Sequence, residues 1–84
     1  MSTRDSLLNR FLSVPSDFTY RELVTLMKGL GFQEKTKSGS HTSFVDENNH
    51  IIGAYRPHPG NILPRYLIRK IIAQLKIYGV IDNE

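Results

Sequence analysis

The spacing of apolar residues changes once along this chain, at Gly31, and that switch decides what it can fold into. Before it, Leu23, Val24, Met27 and Leu30, with Leu26 at the edge, form one helical stripe. Thr19 is followed three residues later by Glu22, a capping box in which each side chain satisfies the other's free backbone amide. Phe18 before the cap and Leu23 at the fourth helical position make the matching hydrophobic staple. Gly31 is placed to take the left-handed conformation that ends a helix.

After Gly31 the pattern is that of strands. Residues 32–37 alternate, Ser38-Gly39-Ser40 turns, residues 41–46 form a second strand, and Glu47-Asn48-Asn49 makes a hairpin turn. Residues 50–56 form a third strand, with Gly53 marking a bulge or a close backbone approach. Alternation there does not say which face is buried. Arg56-Pro57-His58-Pro59-Gly60-Asn61 is a stiff loop. Pro64 suits the first turn of a last helix that ends at Gly79. Leu67, Ile68, Ile71, Ile72, Leu75 and Tyr78 fall on its sheet-facing stripe.

Residues 2–13 carry Leu7, Leu8, Phe11 and Leu12, a short amphipathic helix with Ser2, Thr3 or Asp5 near its start. Val14-Pro15-Ser16-Asp17 breaks it. The order is (α)αβββα. The expected class is α+β: a three-stranded antiparallel sheet with helices on one face and an extra N-terminal helix. Residues 1–17 form the extension and residues 18–84 the main domain. The other sheet face is left open as a binding platform or partner surface.

A chain of 84 residues is one domain with a thin core, so a shallow surface site is expected rather than a deep pocket. With no cysteine, disulfides, thiol nucleophiles and cysteine zinc sites are excluded. No apolar run approaches the ~20 residues of a membrane helix, and no signal peptide is visible. The chain reads as soluble and cytoplasmic. Its formal net charge of +3 is unevenly placed. Residues 61–78 contain Arg65, Arg69, Lys70 and Lys76 and no acid, which biases this end toward anionic partners.

His41 is the first chemical candidate. If Phe44 is core, period two places Thr42 with it and turns His41 and Ser43 to the opposite face. An imidazole titrates near neutrality, so it accepts a proton and returns it later; on RNA the proton to take is a ribose 2′-hydroxyl. Gly39 leaves the backbone uncrowded and Ser40 offers a hydroxyl or amide to a phosphate oxygen. The plainer alternative is that His41 is a polar strand residue beside a tight turn. His58, between two prolines, is either a second acid, base or phosphate donor, or an exposed loop residue; the loop reading is favoured. His50 reads as surface decoration. The three histidines lack metal-ligand spacing, so no metal or cofactor is expected.

Arg65, Arg69 and Lys76 share one helix stripe and, with Lys35, Lys37 and Arg56, are candidate phosphate contacts. A solvated basic face is the ordinary alternative. Tyr20, Tyr55 and Tyr66 offer rings to bases, although core or edge packing is the commoner use.

Gly39-Ser40-His41, the strand carrying Phe44, the Arg56-Pro57-His58-Pro59-Gly60-Asn61 loop and the Gly-terminated last helix resemble the HicA toxin family of bacterial toxin–antitoxin systems. The resemblance runs from about Phe18 to Ile81. It implies a double-stranded-RNA-binding-like fold and a small, metal-independent endoribonuclease that cleaves messenger RNA. It also implies a HicB-type antitoxin that covers the active-site histidine, which maps onto His41. Gly39 and Ser40 carry over as its setting; His58 and Pro59 match a recurrent loop. A non-catalytic RNA-binding module and a protein-interaction domain using the open sheet face are the rival readings.

Overall fold

A computed structural model of the chain describes residues 3–36, 39–57 and 60–82. The elements are α1 (Thr3–Leu12), α2 (Tyr20–Gly29), β1 (Gln33–Thr36), β2 (His41–Val45), β3 (Ile51–Tyr55) and α3 (Arg65–Ile77). This is the expected α+β fold with αβββα order and a helix ahead of it. The sheet is an antiparallel meander, β1-β2-β3, with β2 central.

The cap at Thr19 is reciprocal. Thr19 Oγ1 accepts from the Glu22 amide at 3.1 Å, and Glu22 Oε1 accepts from the Thr19 amide at 3.0 Å. α2 ends in a Schellman motif with Gly31 at φ +96°: the Phe32 amide donates to the Met27 carbonyl and the Gly31 amide to that of Lys28. α3 ends the same way, with Gly79 at φ +73° and the Val80 amide donating to the Leu75 carbonyl. At its other end, Pro64 stands just outside the helix as the N-cap rather than in the first turn.

The core lies between one sheet face and the helices. Phe44, Ile52 and Ala54 supply the apolar sheet side, with Leu23, Leu26 and Met27 from α2 and Leu67, Ile68, Ile71 and Leu75 from α3. Thr42 is also buried and donates from Oγ1 to the Lys35 carbonyl at 3.2 Å. Gly53 makes neither a bulge nor a close approach. The β2–β3 register runs unbroken through it, and a Cβ there meets nothing within 4 Å.

α1 belongs to this core. Phe11 is fully buried and its ring packs 5.0 Å from that of Phe18. Arg10 bonds both Glu22 and Asp17 and lies over the Phe18 ring, joining α1 to the start of α2. His50 is not surface decoration. Its Nδ1 lies 2.9 Å from Asp46 Oδ2 and its ring stacks on Tyr78 at 4.3 Å. The Tyr78 hydroxyl donates to the Ile51 carbonyl at 3.0 Å. The β2–β3 hairpin is thereby clasped to the end of α3.

Phe11→Ala is expected to lower unfolding stability by about 3–5 kcal/mol in urea melts, because it empties a sealed site. A loss under about 1 kcal/mol would show that α1 is an appendage to the core. Burial alone would raise the Glu22 carboxyl, but bonds from the Thr19 amide, Arg10 and the Thr19 hydroxyl outweigh it and hold the group below its ordinary value. Glu22 therefore stabilises the fold above its ordinary value of 4.5, and that contribution is lost as pH falls through the lower folded value. Thermal melts between pH 7 and pH 3 should show a smaller acid-induced fall for Glu22→Gln than for the wild type. Equal falls would remove this carboxylate from the acid response.

Candidate active site

Two backbone bonds set the geometry around His41. The Arg56 amide donates to the Ser40 carbonyl at 2.8 Å, and the Asp46 amide to the His50 carbonyl at 3.2 Å. These mark the Ser40–Arg56 and Asp46–His50 pairs as the hydrogen-bonded ones. The alternating pairs His41–Tyr55, Ser43–Gly53 and Val45–Ile51 are therefore the narrow, non-hydrogen-bonded kind. In such pairs the Cα atoms stand about 4.5 Å apart and the side chains are pressed together on one face. That face is the one turned away from Phe44. His41 on it is exposed, as the alternation requires.

The Tyr55 hydroxyl is hydrogen-bonded to that of Tyr66, the second residue of α3. That bond, with slight burial, pushes the Tyr55 phenol above its ordinary value. His41, Ser43, Gly53, Tyr55, Tyr66 and Lys70 line one shallow groove of about 560 Å³. It runs along the open sheet face and over the β3 edge to α3. Ser43 is buried although it lies on the outward row, where it is paired with Lys35 on one side and Gly53 on the other.

The candidate residues are only partly gathered here. Gly39, at φ +60°, and Ser40 lead directly into His41. Arg56 is tied to Ser40 through backbone and is exposed. Its charge also acts on the Tyr20 hydroxyl. Burial and the hydrogen bond that Tyr20 donates to Glu34 push that phenol up to about 12. Tyr20 is core, Tyr55 half-buried, and Tyr66 is exposed rather than packed.

Arg65 and Arg69 are exposed on α3 but do not line the His41 groove. Lys76 lies elsewhere, in a hollow between α1 and the end of α3 with Leu8, Leu12 and Asp82. Lys37 and His58 lie outside the described residues. Ahead of α3, the Asn61 carbonyl accepts from the Tyr20 amide and the Leu63 amide donates to the Phe18 carbonyl, both at 2.8 Å.

Sequence reading weighed Tyr66 as a ring for bases and counted Lys70 among the basic residues of this end, but did not bring either of them to His41, whose groove they line. Their i, i+4 spacing puts them on one flank of α3, the only available signal. Which flank meets β3 is not written in the helix itself. Among the described residues, no cluster of three or more histidine or carboxylate groups could hold a metal ion. Among the same residues, no helix is long and apolar enough to cross a membrane.

Residues 20–77, well over half of the chain, match the family model described as the HicA toxin of bacterial toxin–antitoxin systems. The matched span begins at α2 and ends with α3, leaving α1 ahead of it. Neither a curated protein nor a solved structure matches the chain. The αβββα order, the outward histidine of β2 and the extent of this match lead to one assignment: the chain belongs to the HicA family of bacterial toxins.

Proposed function

We propose that this toxin is an endoribonuclease that cleaves messenger RNA with His41 as its general base. The observation that carries the reading is an exposed imidazole on the open sheet face, in a groove that no carboxylate among the described residues lines. A ring nitrogen of His41 takes the proton of a ribose 2′-hydroxyl. The freed oxygen attacks the adjacent phosphorus, and the bond to the 5′-oxygen of the next nucleotide breaks. The products are a 2′,3′-cyclic phosphate and, once that oxygen takes up a proton, a 5′-hydroxyl.

Gly39 and Ser40 bring backbone close to the phosphate in this mechanism, and Ser40 is a donor to it. Arg56, Lys37 and His58 are further candidate contacts. Arg65, Arg69 and Lys76 attract the polyanion from a distance rather than at the scissile bond. Residues 18–84 form the nuclease unit, and residues 1–17 a helical extension that packs on it through Phe11. The partner that silences such a toxin is a HicB-type antitoxin. Ile51 and Tyr66, 54 % and 60 % exposed, offer it apolar surface along the groove that the histidine lines. The site of action is the cytoplasm, where messenger RNA is found.

His41→Ala is expected to reduce cleavage of RNA by at least about 100-fold, the usual share of a general acid–base group, while leaving the thermal melt unchanged. Cellular RNA recovered after induction of each protein would test this. Equal degradation by both proteins would end the reading. Cleavage by the purified wild type should also persist in excess EDTA, because the mechanism draws on a side chain for its base. A strict need for magnesium would move that role from His41 to a metal-bound water.

A further inference from the structure

From the outward row of β2 and β3 and the near flank of α3, we infer that the trough above Gly53 is a subsite for one nucleobase of the substrate RNA, stacked on Tyr66. This rests on the reading of His41 as the reacting base, since it places the base beside the phosphate on which His41 acts.

Three observations carry it. The first is shape. The row runs from a tall pair, His41–Tyr55, through a low pair, Ser43–Gly53, to a taller one, Val45–Ile51. The tall pairs are four residues apart, about 13 Å along the strand, enough for one flat ring. Gly53 is exposed, its φ is ordinary, and a Cβ there meets nothing within 4 Å. Neither backbone conformation nor neighbouring atoms require glycine at this position; what glycine does is leave the trough open.

The second is a prepared aromatic surface. Tyr66 is 60 % exposed, which is unusual for a large ring with no partner to bury it. Yet it is not loose, because its hydroxyl is held by Tyr55, whose own place is set by the pair with His41. A ring fixed before binding loses little freedom when a base stacks on it. The third is charge. Lys70, one turn beyond Tyr66, lines the same trough, and among the described residues it makes no ion pair. Among the described residues no carboxylate lines the trough, which suits an anionic ligand. Lys70 faces the backbone of the nucleotide whose base lies on Tyr66.

The test uses decamers with 2′-O-methyl riboses, which lack the proton that His41 takes, so that binding is read without cleavage and with the His41–Tyr55 pair intact. Fluorescence anisotropy with a labelled single-stranded RNA decamer gives the Kd, and a decamer of abasic riboses with the same charge serves as the comparison. Gly53→Val, which suits a strand and fills the trough, is expected to leave the melt intact and to weaken binding of the normal decamer about tenfold or more. It should scarcely change binding of the abasic one. Tyr66→Ala should do the same, and Tyr66→Phe should retain most of the affinity. Gly53→Val binding the normal decamer as tightly as its parent would overturn the subsite. So would equal affinity of the parent for the normal and abasic decamers. Failure of His41→Ala to reduce cleavage would leave these binding contrasts standing and would refute only the catalytic role.

Discussion

Burial of Phe44 is the constraint on which the rest of the molecule depends. Phe44 is fully buried at the centre of β2. Alternation then turns Thr42 inward with it and His41 outward. A slip of one residue would exchange the two faces, sealing the imidazole in the core and exposing a phenyl ring to water. The same burial therefore secures the fold and presents the histidine. Position and stability are coupled here because the strand is short and has few other large apolar residues to hold its register.

The remaining architecture serves to hold that strand still. The hairpin to β3 is clasped to the end of α3 by the His50–Tyr78 stack and the bond from Tyr78 to the Ile51 carbonyl. β1 covers the other side of β2, although it brings no large apolar residue of its own. Its polar residues suit an edge strand, which is safer when it is unattractive to other strands. α1 closes the far side of the core through Phe11. In so small a domain each of these contacts is a sizeable share of the net stability.

The site is correspondingly shallow. No enclosed cavity surrounds His41; a trough on an open face does. Such a surface suits a polymer that lays down one residue at a time and a protein partner that covers the whole face. One surface serving both would make toxin inhibition a matter of occupancy, with no change of shape required.

Much of this was legible in the residues themselves. The capping box, the two glycine-ended helices, the meander and the outward turn of His41 follow from local geometry: side chains repeat every 3.6 residues on a helix and every two on a strand, whatever lies nearby. Gly53 was legible only as an anomaly, because an empty position becomes a trough only when its neighbours are known. His50 looked idle because its partners, Asp46 and Tyr78, come together only when the hairpin meets the last helix. The basic residues show the division best. Their presence on α3 is a matter of sequence, but helix rotation is set by packing Leu67, Ile68, Ile71 and Leu75 against strands far away in the chain. That packing brings Tyr66 and Lys70 to His41 and sends Lys76 to the hollow beside α1. Local periodicity decided which face each residue occupies on its own element; only tertiary contact decided which faces meet.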